Sequence, residues 1–292
     1  MKIGLIVNQD KPAAAVCGEQ IAHLLLRNKA QVITNNSNLE IKIPTEYIDS
    51  VAYYDTDEDV IKNSDVSVTV GGDGTIIHNA KFAAIYQKPM IGINMGRIGF
   101  VAGLEYYEIK ELKKLLLNDY TLQRRMLLNV ELRRGDTTQS FLAVNEAAVT
   151  RDILKPIIDI SVSLNGERII TYRADGMIFA TPTGSTAYSF SSGGPVVEPD
   201  MECILLTPIC PHALSSRQVV FRDDAVLTAK VDNADTTQGY LVIDGQTNVE
   251  LKNGDEVVIR KSDLYLDLII LKEKNFYTLL NEKLKEKNSY ES

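Results

Sequence analysis

The segment best suited to chemistry is Gly71-Gly72-Asp73-Gly74-Thr75, which follows the apolar run Val66–Val70 and precedes a stretch of helical character. Three glycines remove the side chains that would keep a backbone away from a ligand, and the amino end of a helix presents N–H groups to phosphate. Because a carboxylate is a poor phosphate ligand, Asp73 would hold Mg²⁺ or accept a proton from an attacking hydroxyl. The segment therefore predicts a phosphate-binding turn with a carboxylate beside the phosphate; the alternative is a tight strand–helix turn with an aspartate cap.

Two more segments have the composition of ligand-binding loops. Asn94–Phe100 follows the apolar strand Pro89–Ile93 and contains two glycines, which permit close backbone approach. Thr181–Ser189 concentrates hydroxyls and small residues and is followed by Gly193-Gly194-Pro195, so it offers hydrogen bonds to ribose or phosphate and an aromatic face to a base. The alternative for Thr181–Ser189 is a polar hairpin loop, although it is long for a connector.

Shorter polar segments are weaker candidates. Asn145-Glu146 ends an apolar strand, and Arg173-Ala174-Asp175-Gly176 separates two strands. Both have the composition of solvated strand ends. Asp244-Gly245-Gln246 has the composition of a hairpin turn, and His78 fits an exposed helix position.

The first 120 residues alternate between predicted strands and helices. In chain order these are strand Lys2–Val7, helix Ala13–Arg27, strand Val66–Val70, helix Thr75–Tyr86, strand Pro89–Ile93 and helix Ile109–Leu117. Asn35–Asp59, by contrast, has mainly the composition of a loop. The alternation implies a parallel sheet, and it places Asn94–Phe100 at the carboxyl edge, where open α/β sheets bind ligands.

From about Tyr120 the sequence changes to β-like runs with little helix between them. These runs are Met126–Leu132, Phe141–Val144, Ile157–Leu164, Arg168–Tyr172, Met177–Ala180, Val249–Leu251, Glu256–Ile259 and Leu264–Leu271. Asn165-Gly166 favours a type I′ hairpin, because both turn residues need positive φ. We predict an α/β domain over residues 1–120, a β-rich domain over 121–271, and a terminal helix and tail over 272–292.

Composition and charge exclude several classes of protein. The 292 residues suffice for two domains, and the net charge of −8 opposes binding to bulk nucleic acid or to an anionic membrane. No apolar run reaches the roughly 18–20 residues of a membrane span. The cysteines Cys17, Cys203 and Cys210 are odd in number and lack CxxC spacing, which favours a reducing compartment. We expect a cytoplasmic protein whose partners include neither nucleic acid nor membrane.

Two common nucleotide-binding motifs are absent from the sequence. No GxxxxGK[ST] segment occurs, and no GxGxxG follows the first strand. The chain is therefore neither a P-loop enzyme nor an ordinary Rossmann enzyme.

Taken in order, the polar segments resemble the ATP- or polyphosphate-dependent NAD kinase family over nearly the whole chain. The segments that carry the resemblance are Gly71–Thr75, Asn94–Phe100, Asn145-Glu146, Arg173–Gly176, Thr181–Ser191 and Asp244–Gln246. GGDGT alone is also similar to diacylglycerol and sphingosine lipid kinases and to loops of 6-phosphofructokinases, whereas its combination with TPTGSTAYS is far more specific. The resemblance implies an N-terminal Rossmann-like α/β domain of the diacylglycerol kinase type, a C-terminal β-sandwich domain, and an active site between them.

The resemblance also implies a reaction. A terminal phosphoryl group would pass from ATP or polyphosphate to the 2′-hydroxyl of the adenosine ribose of NAD, giving NADP. A divalent cation, Mg²⁺, would lie on the donor phosphates, and no protein residue is assigned to it. Asp73 would be the general base, and Asp73, Gly74 and His78 would contact NAD near the reacting ribose, although position 78 varies within the family.

Further dinucleotide contacts follow from the same resemblance. Asn145 and Glu146 would bind ribose hydroxyls or adenine, while Arg173 and Asp175 would lie along the dinucleotide. The implied residues on the adenine side are Thr186, Ala187, Tyr188, Ser189, Phe190 and Ser191. Gln246 matches a position near the ligand, whereas Lys155-Pro156 matches no family contact. The family resemblance also implies a homodimer or homotetramer.

Two other functions remain open at the level of the sequence. A lipid kinase of the diacylglycerol kinase type would share GGDGT, although the chain shows no basic amphipathic membrane helix. A non-catalytic dinucleotide-binding regulator would keep the pocket, but binding alone would not require Asp73.

Overall fold

The computed structural model describes residues 1–38, 42–96, 99–213, 216–232, 238–273 and 275–288. They form two compact units: the described residues of Met1–Arg124 with Leu266–Ser292, and those of Arg125–Tyr265. The domain boundaries expected from the sequence, at residues 120 and 271, stay a prediction. The end of the predicted tail, residues 289–292, lies outside the described residues.

Strands predominate over helices in the described part of the chain. The strands are β1 (Lys2–Val7), β2 (Gln31–Asn35), β3 (Val51–Tyr54), β4 (Val66–Gly71), β5 (Met90–Asn94), β6 (Leu104–Glu105), β7 (Thr121–Arg134), β8 (Thr137–Ala143), β9 (Glu146–Arg151), β10 (Ile158–Leu164), β11 (Glu167–Ala174), β12 (Gly176–Ala180), β13 (Cys203–Ile209), β14 (Val219–Arg222), β15 (Leu227–Val231), β16 (Gly239–Ile243), β17 (Thr247–Leu251) and β18 (Glu256–Ile270). The α-helices are α1 (Pro12–Arg27), α2 (Asp57–Asn63), α3 (Asp73–Ile85), α4 (Lys113–Leu116), α5 (Tyr188–Ser191) and α6 (Phe276–Asn288). Short 3₁₀ helices lie at Asn36–Asn38, Thr45–Ser50, Tyr106–Leu112 and Thr183–Thr186. No helix within the described ranges is long and apolar enough to cross a membrane.

The first unit is built on a parallel sheet, as the alternation of strands and helices predicts. Its central strands run in the order β3-β2-β1-β4-β5, with parallel pairing throughout. β1 and β4 are buried along nearly their whole length, as expected for strands covered on both faces. Ile21 and Leu25 of α1 are fully buried in the same core. Because all these strands are parallel, their carboxyl ends lie along one edge of the sheet.

The prediction of a loop over Asn35–Asp59 is wrong in part. The segment contains a 3₁₀ helix at Thr45–Ser50, the edge strand β3 and the start of α2. β3 is only half-buried, so it lacks the strong apolar signal of β1 and β4. The start of α2 did carry a signal, since Thr56 accepts a 3.1 Å hydrogen bond from the Asp59 backbone N–H as a helix cap.

The second unit is a β-sandwich. One sheet has the antiparallel order β14-β13-β12-β9-β16-β17, and a second antiparallel layer contains β11, β10, β15 and the amino-terminal part of β18. Phe179 of the first sheet and Ile160 of the second are both fully buried in one apolar core. Asn165 and Gly166 have φ of +51° and +88°, which confirms the predicted positive-φ turn. The two runs predicted at Glu256–Ile259 and Leu264–Leu271 form the single strand β18.

A buried ion pair holds the β17–β18 turn of this unit. Asp255, which is 4% exposed, accepts hydrogen bonds from Arg134 at 2.6 Å and from the Lys252 backbone N–H at 2.8 Å. Burial alone would raise the pKa of the Asp255 carboxyl, but these donors hold it below its ordinary value. The ionised carboxylate is therefore the form that the fold stabilises.

We predict that Asp255→Asn lowers the free energy of unfolding by about 2 kcal/mol at pH 7, less than for a fully buried pair because the Arg134 side chain is 37% exposed. A depressed pKa stabilises the fold above the unfolded-state pKa, and this contribution is lost as pH falls through the folded-state pKa. The difference between variant and wild type should therefore shrink below about pH 4. Denaturant unfolding at several pH values measures it; a pH-independent difference would contradict the assignment.

Candidate active site

The GGDGT segment forms the junction between β4 and α3. β4 ends at Gly71, Gly72 is the helix cap, and Asp73 is the first residue of α3. Asp73 and Gly74 are exposed. The amino end of a helix carries a partial positive charge, so this junction favours an anion.

Close packing around the junction requires glycine. A Cβ on Gly71 would lie 2.8 Å from Thr75, whose hydroxyl accepts a 2.8 Å hydrogen bond from the Asn8 side-chain amide. A Cβ on Gly99 would lie 2.1 Å from Asp73 Oδ1. The loop after β5 therefore reaches Asp73, as its place at the carboxyl edge predicts; Arg97 and Ile98 of this loop lie outside the described residues.

A cation at this junction was not identified from the sequence. A Cβ on Gly72 would lie 3.1 Å from Lys11 Nζ, so the Lys11 ammonium group stands beside the glycine-rich turn. Lys11 precedes α1, at the end of the polar segment after β1. The sequence offered one indication of this cation, which is that the polar segment ending at Lys11 follows the first strand. The segment has no glycine, however, and it matches no known phosphate-binding motif.

His78 lies on α3, five residues after Asp73, and is exposed. Its ring packs edge-to-face on Phe82, with 5.3 Å between ring centroids. Burial raises the pKa of the nearby Asp57 carboxyl, while a hydrogen bond from Asn35 and attraction to His78 oppose that rise. His78 is thus fixed on the same helix as Asp73, beside an acidic neighbour.

In the second unit, Asn145 and Glu146 lie where β8 passes into β9. Thr181 holds this connection from one side: its hydroxyl donates to the Val144 carbonyl at 2.7 Å and its N–H donates to the Asn145 carbonyl at 2.8 Å. A Cβ on Gly184 would lie 2.0 Å from the Asn145 carbonyl oxygen, so only glycine fits there. Asn145 Oδ1 is buried and accepts no hydrogen bond from any described residue.

The TPTGSTAYS segment is not the polar hairpin loop considered as its alternative. It forms the 3₁₀ helix Thr183–Thr186 followed by α5. Ser189 is fully buried, and its hydroxyl is 2.8 Å from that of Thr207, so it supports the segment from within. Tyr188 is 43% exposed.

Tyr188 lies within electrostatic range of both Glu146 and Asp175, which stand at opposite ends of the paired strands β9 and β12. Burial is the main reason that the pKa of Tyr188 is raised, and Cys210, Glu146 and Asp175 add electrostatic repulsion. Tyr188 thus feels the charges of two sequence-predicted carboxylates, and Cys210, which was not predicted to lie near the site, adds to them.

Arg151 fixes Asp175 and was also missed. Its Nε donates to the Asp175 carboxylate at 2.6 Å, and its Nη1 donates to the carbonyls of Asp152, Ile153 and Lys155 at 2.8–3.0 Å. In the sequence, Arg151 and Asp175 are 24 positions apart. They meet only because β9 and β12 pair as antiparallel strands.

The remaining predicted residues lie at exposed or half-buried positions of the second unit. The Arg173 side chain is 61% exposed, with its guanidinium 4.0 Å from Asp159. Gln246 is exposed after the Asp244-Gly245 turn, where φ is +50° and +67°. Thr186, Ala187 and Phe190 are half-buried and Ser191 is exposed, all within or beside α5.

A parallel α/β unit with a glycine-rich, carboxylate-bearing helix junction defines a phosphotransferase class, and here it shares its chain with a β-sandwich. Comparison with known families specifies that class. Residues 3–120 match the ATP-NAD kinase N-terminal domain, and residues 144–271 match the ATP-NAD kinase C-terminal domain.

Individual relatives agree with the family match. The NAD kinase of Natranaerobius thermophilus is 35% identical over 285 residues, covering 97% of this chain and 97% of that protein. The NAD kinase of Magnetococcus marinus is 38% identical over 229 residues, covering 78% and 75%. The chain therefore belongs to the NAD kinase family and is an enzyme.

Solved structures show the same architecture. The crystal structure of yeast NADH kinase complexed with NADH has a TM-score of 0.88 at 26% identity, covering 98% of this chain and 87% of that chain. An NAD kinase from Archaeoglobus fulgidus in complex with ATP has a TM-score of 0.71 at 27% identity, covering 96% and 99%. The predicted fold class, an α/β unit with a β-sandwich typical of NAD kinases, is confirmed.

We predict that Gly74→Ala separates stability from activity. A methyl group there would meet no atom within 4 Å, and alanine is preferred to glycine in a helix, so the free energy of unfolding should rise by about 0.5 kcal/mol. Kinase activity should fall about tenfold, because the methyl group would stand beside Asp73 on the exposed face. Denaturant unfolding and initial rates measure the two effects; unchanged activity would place the substrate elsewhere.

Proposed function

We propose that this enzyme transfers the terminal phosphoryl group of ATP to the 2′-hydroxyl of the adenosine ribose of NAD, giving NADP. The observation that carries the proposal is the exposed Asp73 carboxylate at the first residue of α3, where the helix end attracts phosphate. Support comes from the relatives named NAD kinase and from related structures described as complexes with NADH and with ATP.

Asp73 is the proposed general base. As the 2′-oxygen forms its bond to the terminal phosphorus, the proton of that hydroxyl passes to Asp73. The bond between that phosphorus and the bridging oxygen breaks, and ADP leaves. Phosphoryl transfer depends mainly on alignment and charge neutralisation, so a glycine-rich turn, a helix end, Lys11 and one carboxylate form a sufficient set.

The proposed Mg²⁺ would lie on the donor phosphates beside the junction. Mg²⁺ usually binds one or two carboxylates together with substrate phosphates. Within the described residues, no group of three or more His, Cys, Asp or Glu side chains is arranged to hold a metal ion. Mg²⁺ would therefore be held by the donor phosphates, whose charge it would neutralise, and Asp73 keeps the role of general base.

The second unit carries the residues of the proposed dinucleotide site. Asn145 Oδ1, a buried acceptor, would bind a ribose hydroxyl or the adenine amine, and Tyr188 would offer its ring to the base. Asp175, fixed by Arg151, would lie along the dinucleotide. The remaining predicted contacts, including His78, Arg173 and Gln246, belong to this proposal.

The compartment and the assembly are also proposals. A cytoplasmic location is supported by three cysteines that form no disulfide. A homodimer or homotetramer rests on the family resemblance, and light scattering after size-exclusion chromatography determines which forms.

The first experiment incubates the purified protein with NAD, Mg²⁺ and either ATP or polyphosphate, and follows NADP with an NADP-specific dehydrogenase. NADP formation with ATP is expected. NAD binding without turnover with either donor would favour the regulator, whereas phosphorylation of diacylglycerol in vesicles, without NADP formation, would favour the lipid kinase.

Asp73→Asn should lower kcat by about 10²–10⁴-fold and leave NAD affinity within about threefold, because the amide keeps the shape of the side chain but accepts no proton. Asp59→Asn is the matched control, since Asp59 is also a first-turn helix carboxylate. It should leave kcat unchanged. Equal rates for wild type and Asp73→Asn would remove Asp73 from the mechanism.

Tyr188→Ala should raise the KM for NAD about tenfold, because a base stacked on an aromatic ring gains about 1–3 kcal/mol. Tyr188→Phe keeps the ring and should stay close to wild type. Steady-state kinetics at saturating ATP measure both variants, and a defect confined to kcat would contradict the placement of adenine on Tyr188.

A further inference from the structure

The carboxylate of Asp244 is aimed at the backbone of the segment that carries Asn145 and Glu146. Its Oδ1 accepts hydrogen bonds from the backbone N–H groups of Asn145 at 2.8 Å and Glu146 at 3.0 Å, and its Oδ2 accepts one from Val144 N–H at 3.0 Å. Three consecutive N–H groups thus converge on one side chain almost 100 residues away in sequence.

The β16–β17 turn places this carboxylate. Asp244 and Gly245 both have positive φ, at +50° and +67°, as the two central residues of a type I′ turn do, and the Gln246 N–H closes the turn on the Ile243 carbonyl at 3.0 Å. The Asp244 N–H donates back to the Glu146 carbonyl at 2.9 Å, so the turn and the connection are bonded in both directions. β16 pairs with β9 up to Ile243 and Ala147, which sets Asp244 opposite Glu146.

The same connection is bonded on its carbonyl side by Thr181, as described above. Its N–H groups therefore donate hydrogen bonds to Asp244, and two of its carbonyls accept hydrogen bonds from Thr181. Because both the N–H groups and the carbonyls are hydrogen-bonded, the peptide planes around Asn145 and Glu146 are held in one orientation. The Asn145 amide, whose Oδ1 is buried without a described partner, is then presented by a rigid backbone.

We propose that Asp244 is a positioning residue for dinucleotide binding: its carboxylate fixes the backbone that presents Asn145 and Glu146, without itself contacting NAD. This inference rests on the proposed function, in which those two residues bind the dinucleotide. A turn with only a structural role needs positive φ at Asp244, which asparagine or glycine also supplies. It does not need two acceptor oxygens.

Asp244→Asn keeps the turn conformation but replaces one acceptor oxygen by an NH₂ group facing a backbone N–H. Asp244→Gly keeps positive φ and removes the acceptor altogether. We expect the KM and Kd for NAD to rise about tenfold in Asp244→Asn and further in Asp244→Gly, the scale of a lost charge-assisted hydrogen bond. The KM for ATP should stay within about twofold.

Asp255→Asn is the matched control. Asp255 is another buried carboxylate that accepts a backbone N–H in a turn of the same unit, and its hydrogen bonds within the described residues come from Arg134 and Lys252. It should lower stability while leaving the KM for NAD within about twofold. All variants are measured well below their melting temperatures.

A double-mutant cycle with Asn145→Ala tests whether Asp244 acts through Asn145. If it does, Asp244→Asn should raise the Kd for NAD less in the Asn145→Ala background than in the wild type. Fully multiplicative effects would overturn the inference. So would an unchanged Kd in both folded Asp244 variants, or an equal rise in Kd for Asp255→Asn.

Binding and turnover are recorded separately, by calorimetry with NAD and by the coupled NADP assay, so the two proposals fail in distinguishable ways. Wild-type protein that binds NAD but forms no NADP would end the kinase proposal, and the cycle on Kd would still decide the role of Asp244. Wild-type protein that does not bind NAD would overturn both. If Asp244→Asn fails to fold, Asp244→Gly provides the same comparison.

Discussion

Satisfaction of buried backbone groups is the constraint on which the candidate dinucleotide site depends. The connection between β8 and β9 is not itself part of a regular ladder, yet it lies within a β-sandwich, where unpaired N–H and C=O groups cost free energy. Asp244 and Thr181 supply the missing partners from two distant parts of the sequence. The β-sandwich brings β9, β12 and β16 side by side, and these partners meet only as a result.

The candidate site of the first unit depends on a different feature, namely glycines, whose lack of side chains allows close contacts. Gly71, Gly72 and Gly99 let the backbone, the Asp73 carboxylate and the Lys11 ammonium group approach one another closely. The parallel sheet supports this arrangement, since β1, β4 and β5 all end at the same edge. The helix end and the cation favour bound phosphate, and the carboxylate beside them can act as a base.

Much of this structure was predictable from local sequence. The parallel sheet, the GGDGT junction, the positive-φ turn at Asn165-Gly166 and the β-rich second unit each depend on short-range patterns of apolar residues, glycine and asparagine. β3 and α2 were missed because an edge strand is half-exposed and its apolar pattern is weak. The continuity of β18 was missed because its polar centre has the composition of a break between two strands.

The residues that support the site were the least predictable. Asp244, Arg151 and Lys11 act through contacts with backbone or with other site residues, and those contacts are fixed by strand register and strand order. Asp244-Gly245 had a complete local explanation as a hairpin turn, so nothing in the sequence alone required a second role. Site residues that match a family motif could be proposed from the sequence, whereas the contacts that hold them in place follow only from the fold.

The most direct test of the proposed chemistry uses NAD that lacks the 2′-hydroxyl of the adenosine ribose. If that hydroxyl is the nucleophile, the analogue should compete with NAD at the same site, and mass spectrometry should detect no phosphorylated analogue after prolonged incubation with ATP and Mg²⁺. A phosphorylated analogue formed at the rate of NADP would show that another hydroxyl accepts the phosphoryl group, which would contradict the proposed reaction.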